Sequence, residues 1–225
     1  MTHSLLKRLE RQLIVSSQAM NPASPLQRPE ILVLLAEAAA LGGAGGFRVD
    51  GAEVVRLLRI RTTLPIIGIV KDKRGGFDNY ITTTRADVEA LAAAGADIIA
   101  VQATEGTRPD ESFAKLAEIA HAAGRLVMAD ISTFEEAALA VQQGADLVAT
   151  TMVGHTTATT GQARPPLDLV PRLATLGVPV VMEGGVWTPE HVADSFNAGA
   201  TAVVCGSAIT APDIITRRLV AAIPA

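Results

Sequence analysis

The feature that most constrains this chain is a rhythm. Short runs rich in Val and Ile alternate with longer Ala- and Leu-rich stretches of helical spacing, and the alternation runs through eight rounds. Several of the short runs are apolar on both faces, which is what a strand needs when it is buried on both sides, as in parallel sheets built from helical crossovers. The strand candidates are QLIVSSQ from Gln12, GGFRVDG from Gly45, PIIGIVK from Pro65, ADIIAVQAT from Ala96, LVMADIS from Leu126, LVATTM from Leu147, PVVMEGG from Pro179 and TAVVCGS from Thr201.

Between them, ILVLLAEAAALGG, DVEALAAAGA, FAKLAEIAHAAG, FEEAALAVQQGA and EHVADSFNAGA carry helical spacing, and most end at a glycine suited to a helix C-terminus. A Gly-Ala-Asp or Gly-Ala-Thr refrain precedes the fourth, sixth and eighth strand candidates. The same turn from helix end into strand start is thus reused, as closure of an eightfold barrel requires. An open doubly wound sheet is the competing architecture. It finds no GxGxxG after the first strand and no GxxxxGK[ST] anywhere. At 225 residues, 49% of them hydrophobic, the chain suits one large core, and we expect a single (β/α)8 barrel domain over residues 1–225.

Composition narrows the function. A formal net charge of −4, with one Trp, one Tyr and five Phe, supplies neither the basic field nor the stacking platforms of nucleic-acid binders. A small-molecule partner is expected instead. No apolar run reaches membrane-spanning length, and MTHSLLKRLERQLIV does not read as a secretory signal. The lone Cys205, in the apolar run TAVVCG, cannot form an internal disulfide, so a reducing, cytoplasmic setting fits best.

In a barrel, polar residues at the C-terminal strand ends converge on one pocket. Here they are Gln18, Arg48, Lys71, Gln102, Asp130, Thr150, Thr151 and Glu183. Lys71 leads the set. It closes an apolar strand, where desolvation and cationic neighbours lower a lysine pKa and make the neutral amine a base. A structural ion pair with Asp130 or Glu183 is its competing role. After strands seven and eight come EGGVWTPE and CGSAITAPD, glycine-bearing turns entering helices, whose backbone amides at Gly184, Gly185, Gly206 and Ser207 can hold a phosphate. Tight turn geometry alone is the alternative for these glycines. Two connections are long enough to be functional loops, DKRGGFDNYITTT and VGHTTATTGQARPP.

Other constellations are weak. His3, His121, His155 and His191 show no metal-ligand spacing, and no metal is expected. Ser16, Ser17 and Ser132 lie outside any GxSxG elbow and have no strand-end histidine beside them.

Taken in order, IVSSQA, GFRVDG, PIIGIVK, YITTT, GADIIAVQAT, MADISTFEEA, ATTMVGHT, VMEGGVWTPE and CGSAITAPDIITRR resemble the N-acetylmannosamine-6-phosphate 2-epimerase family along nearly the whole chain. MADISTFEEA and PIIGIVK followed by YIT are its specific marks. The resemblance implies a cofactor-free TIM barrel of the ribulose-phosphate-binding kind. It would interconvert N-acetylmannosamine 6-phosphate and N-acetylglucosamine 6-phosphate in amino-sugar and sialic acid catabolism, as a homodimer with an amino-sugar phosphate as its partner. By position, Lys71 would be the catalytic base and Glu183 the ring-opening acid/base, with Gln18, Arg48, Asp130 and Thr151 contacting the sugar or orienting those groups. Three residues depart from the family pattern: Gln102 where an aspartate is common, Ser17 where a cysteine is frequent, and Ala211 where an arginine often stands. Arg108, Arg217 and Arg218 are candidates to replace that arginine. Two other readings stand beside the epimerase. One is a Schiff-base lyase using Lys71 as nucleophile; the other is a sugar-phosphate-binding paralogue without turnover.

Overall fold

The computed structural model describes residues 2–19, 21, 23–73 and 75–224, the side chains of Thr2 and His3 excepted. Eight strands, β1 (Gln12–Ser17), β2 (Gly46–Asp50), β3 (Ile66–Ile69), β4 (Ile98–Gln102), β5 (Leu126–Asp130), β6 (Leu147–Ala149), β7 (Val180–Glu183) and β8 (Ala202–Cys205), close into a barrel in sequence order. Every neighbouring pair is parallel, including β1 with β8. The protein is a TIM barrel. Each strand lies inside one of the runs expected from sequence, and the residues trimmed from the C-terminal ends, such as Gln18, Lys71 and Gly184, are left at the barrel mouth.

The period of two along each strand splits the core into two apolar layers. Ile14, Ile67, Ile69, Ile98, Ala100, Met128, Ala149, Val181 and Val204 fill the barrel interior. The residues between them, Val15, Phe47, Val49, Ile99, Val101, Val127, Val148, Met182 and Val203, pack outward against the helices. Continuing that alternation toward the mouth turns Gln18, Arg48, Lys71, Gln102, Asp130, Thr151 and Glu183 inward together. The same parity sends Ser17 outward, where its hydroxyl donates to the Leu32 carbonyl at 2.7 Å.

The outer ring is formed by α2 (Pro29–Leu41), α3 (Ala52–Arg59), α4 (Arg85–Ala94), α5 (Phe113–Ala122), α6 (Phe134–Gln142), α7 (Leu169–Ala174), α8 (Pro189–Asn197) and α10 (Pro212–Val220), with the four-residue α9 (Ser207–Thr210) after β8. Local chemistry sets their starts. Thr84 and Thr133 close capping boxes with Asp87 and Glu136, and Ser112 and Thr188 cap α5 and α8. Gly95, Gly144 and Gly199 of the refrain adopt φ of 96°, 103° and 105°, so the recurrent glycine is a left-handed helix end.

One element lies outside the expected pattern. α1 (Thr2–Leu9) precedes β1, and Leu5, Leu6 and Leu9 join the cluster that fills the barrel interior. Arg8 donates to the Thr63 carbonyl just before β3, and the Arg11 amide to the Thr201 carbonyl just before β8. This helix therefore closes the N-terminal end of the barrel, opposite the polar mouth. Among the described residues no helix is long and apolar enough to cross a membrane.

Candidate active site

Beneath the mouth, β2, β5, β6 and β7 supply a buried ionic cluster. The Arg48 guanidinium, fully enclosed, donates to both carboxylate oxygens of Asp130, at 3.1 and 2.7 Å, and to Glu183. Thr151 ties the two acids together by contacts of 2.7 Å to Asp130 and 3.2 Å to Glu183. A bidentate arginine is the economical way to hold two inward carboxylates at once, because its fork matches one carboxylate and leaves a proton for the other. Burial opposes the charge on Arg48, but the two carboxylates outweigh it and raise its pKa above the ordinary arginine value. Burial likewise pushes Glu183 upward, reinforced by the Asp130 charge and opposed chiefly by Arg48.

Lys71 stands at the end of β3 on the other side of the mouth. The ion-pair role considered for it falls to Arg48, which is the cation bound to both Asp130 and Glu183. The Lys71 ammonium donates to Gln18 Oε1, and the Gln18 amide donates in turn to Ser16 Oγ at 2.7 Å. Its backbone amide donates to Asp50 Oδ1 at 3.0 Å. Desolvation is the largest influence on Lys71 and lowers its pKa. The Arg48 charge lowers it further, while Asp50, Glu183 and Asp130 pull it back upward. The same desolvation thus acts in opposite directions on two groups that share one mouth, a carboxyl pushed up and an amine pushed down.

The loop after β3 folds back to support this lysine. Lys71 bridges Ile81 in antiparallel fashion, and the Asp72 and Thr82 amides donate to the Tyr80 and Val70 carbonyls at 2.9 and 2.7 Å. Gln102 pins the returning strand: its Oε1 accepts from the Tyr80 and Ile81 amides at 2.9 and 3.3 Å, and its Nε2 donates to Thr104 Oγ1 at 2.7 Å. The strand-end rule had placed Gln102 and Thr150 among the site candidates. Gln102 is spent on two backbone amides and on Thr104, and Thr150 on the backbone of Glu183. Thr150 Oγ1 accepts from the Glu183 amide at 3.0 Å and donates to its carbonyl at 2.8 Å, joining the ends of β6 and β7.

Above the ionic cluster opens a cavity of about 230 Å³. Gln18, Lys71, Thr151 and Glu183 line it, as do Gly184, Gly185, Gly206 and Ser207, whereas Arg48 and Asp130 lie behind its wall. Reading strand ends missed several lining residues: Ser16, Lys73, Tyr80, His155, Arg164, Trp187 and Thr210. Most belong to the two long loops or the turns after β7 and β8, where no periodic pattern marks which residue turns inward. Of the arginines considered as substitutes at the mouth, Arg108 is turned to the Gln102 carbonyl at 2.6 Å and to Asn79. Arg218 lies over the Trp187 ring at 4.3 Å, and Arg217 does not line the cavity. Ala211 contributes only a small apolar side chain to the wall.

No group of three or more His, Cys, Asp or Glu side chains is arranged to hold a metal among the described residues; the His3 side chain lies outside them. His121 pairs with Asp146 at 2.8 Å on the surface, and His191 accepts from the Trp187 amide at 3.2 Å.

Comparison with known proteins gives this geometry a context. Residues 32–225 match the family described as "Putative N-acetylmannosamine-6-phosphate epimerase". A protein of Caldanaerobacter subterraneus subsp. tengcongensis named "Putative N-acetylmannosamine-6-phosphate 2-epimerase" is 39% identical, with 98% of this chain and 94% of the relative covered. One of the same name from Synechococcus elongatus is 44% identical, with 98% and 97% covered. The solved structure of the N-acetylmannosamine-6-phosphate 2-epimerase from Clostridium perfringens superposes with a TM-score of 0.93 at 37% identity, over 97% of this chain and 96% of that one. A thiamine phosphate pyrophosphorylase from Pyrococcus furiosus, at 19% identity and a TM-score of 0.63, shares the fold alone.

Proposed function

Because the chain belongs to the N-acetylmannosamine-6-phosphate 2-epimerase family, we propose that it interconverts N-acetylmannosamine 6-phosphate and N-acetylglucosamine 6-phosphate by moving the proton at C2. The observation that carries this reading is that Lys71 and Glu183 face one cavity from opposite sides of the barrel mouth, with pKa values shifted in opposite directions.

In this reading the Glu183 carboxylate takes the proton of the anomeric hydroxyl and returns it to the ring oxygen, opening the sugar to its aldehyde. The C2 hydrogen is then acidified by the adjacent carbonyl. Neutral Lys71 removes it, leaving a planar enolate and a Lys71 ammonium that exchanges with solvent. Once the enolate has turned in the cavity, the ammonium returns a proton to the opposite face, which gives the epimer and restores the neutral amine. A positioned base of this kind contributes roughly 10²–10⁴-fold. Gln18 aims the lysine, and Arg48, Asp130 and Thr151 hold Glu183 in register. The glycine turns at Gly184, Gly185, Gly206 and Ser207 receive the phosphate.

Lys71 also suits Schiff-base chemistry, but no feature of the cavity favours bond cleavage over proton transfer. We place the enzyme in the cytoplasm as a one-domain barrel, where the buried free Cys205 needs no oxidising compartment. The exposed Leu34 and Leu41 on α2 and Ile60 after α3 offer the apolar surface for a homodimer.

The test is proton NMR of either sugar phosphate in D₂O with purified protein. Loss of the C2 proton signal together with appearance of the other epimer is expected. Absence of both exchange and interconversion ends the proposal.

A further inference from the structure

A phosphate ester entering this cavity needs a cation as well as backbone amides, and the described lining residues offer three: Lys71, Lys73 and Arg164. Lys71 is committed to Gln18 at the end of β3. Lys73 lies over the Tyr80 ring with its ammonium 4.8 Å from the ring centre. Arg164, in the loop after β6, has no carboxylate within ion-pair distance among the described residues. Its guanidinium meets His155 Nε2 at 2.6 Å.

The position of Arg164 is built in. An added Cβ on Gly185 would fall 2.4 Å from Arg164 Cβ and 2.6 Å from its carbonyl carbon, so the bare glycine is what lets the β6 loop lie across the turn after β7. Arg164 Cδ stands 4.0 Å from the place a Cβ would take on Gly184 and 3.4 Å from the corresponding place on Gly154. The arginine is therefore seated directly over the glycine turn. Desolvation, then the nearby Arg164, Lys71 and Lys73 charges, lower the His155 pKa. A neutral His155 can accept a hydrogen bond from Arg164 through Nε2, and so fixes the guanidinium without neutralising it.

We infer that Arg164 is a phosphate-binding residue of this enzyme, a guanidinium fork positioned by His155 over the Gly184–Gly185 turn to take the phosphate of the incoming sugar. The inference rests on the sugar-phosphate reading above. It assigns the negative end of the substrate to the β6–β7 side of the mouth and leaves the sugar carbons facing Lys71 and Glu183. Charge-assisted hydrogen bonds from a planar fork suit a phosphate dianion.

The test compares wild type with Arg164→Gln and Arg164→Lys in phosphate-free buffer, with two readouts. The first is the steady-state kinetics of N-acetylmannosamine 6-phosphate. The second is binding of inorganic phosphate, followed by titration calorimetry without any turnover. For Arg164→Gln, KM should rise roughly 10- to 100-fold, the scale of a lost charge-assisted hydrogen bond, with kcat little changed. Phosphate affinity should fall by a similar factor, and Arg164→Lys should lie between. His155→Ala should weaken phosphate binding by a smaller factor, since it removes only the support. Unchanged KM and phosphate affinity in Arg164→Gln overturn the assignment, as does a fall in kcat with KM unchanged or a wild type that binds no phosphate. Should wild type bind phosphate through Arg164 yet exchange no C2 hydrogen, the epimerase reading falls and this one stands. Should wild type epimerise and Arg164→Gln match it, only this one falls.

Discussion

At the scale of single residues, the chemistry turns on keeping a lysine neutral beside an arginine that stays charged. Arg48 is fully enclosed and Lys71 half-buried, but Arg48 has two carboxylates against its fork, while the Lys71 ammonium donates to a neutral amide oxygen. The desolvation that Arg48 overcomes through its partners is the main force lowering the Lys71 pKa. Replacing Lys71 by Ala should therefore remove C2 exchange by about 10²–10⁴-fold and leave the melting temperature close to wild type, because the ammonium belongs to the mouth and not to the apolar interior. Exchange at the wild-type rate in D₂O would remove Lys71 from the chemistry. The pH dependence follows from the same balance. The base works as the neutral amine, so kcat/KM should rise with pH through the lowered Lys71 pKa. Asp50 is a carboxylate whose charge pulls that pKa upward. Asp50→Asn keeps an oxygen for the Lys71 amide but drops the charge, so the lysine should lose its proton more readily. The acid limb of the kcat/KM profile should then move to lower pH. A limb that stays in place or moves upward would refute the electrostatic role given to Asp50.

Among the elements, the short return of chain after β3 shows how a site residue is supported by segments remote from it. Gln102 comes from β4, yet its Oε1 is spent on the loop that carries Tyr80 and Ile81 while its Nε2 is held by Thr104, and Ile81 bridges Lys71. Gln102→Leu leaves two backbone donors and a threonine without their partner. It should cost about 1–3 kcal/mol in urea unfolding and lower kcat by loosening the lysine. Gln102→Glu retains an acceptor for both amides and should lose less. Equal stability of the leucine variant would show that the loop holds itself. This arrangement was not legible beforehand, because strand parity says that Gln102 turns inward but not whether it meets solvent, substrate or backbone. Position at a strand end did suffice to single out Arg48, Lys71, Asp130, Thr151 and Glu183, which come together because the apolar strands all point them at one end of the barrel. Arg164 and Lys73 escaped for the opposite reason. They sit in loops with no period, and only Gly185 hinted, through its missing side chain, that another chain segment crosses there.

For the molecule as a whole, the barrel divides its tasks between two ends. The mouth carries the buried ions and the left-handed glycine turns, and the opposite end is sealed by apolar contacts. The eight-round rhythm of strands and helices was plain in the sequence because burial on both faces leaves continuous Val and Ile runs. α1 was not, because an eight-residue helix containing Lys7 and Arg8 reads locally as a polar start. Only closure of the barrel gives Leu5, Leu6 and Leu9 a surface to cover. Leu9 is 1% exposed and lies in the same cluster as Ile14, Leu126, Leu147 and Ala202. Leu9→Ala removes this seal and leaves a cavity that the closed strands are poorly able to fill. The expected loss is about 2–5 kcal/mol in the urea unfolding free energy. Because the chemistry lies at the other end, kcat and KM measured well below the melting transition should match wild type. A loss under about 1 kcal/mol, less than truncating a well-packed core leucine costs, would show that α1 merely rests on the barrel. A change in KM at full folding would show that the two ends are mechanically coupled.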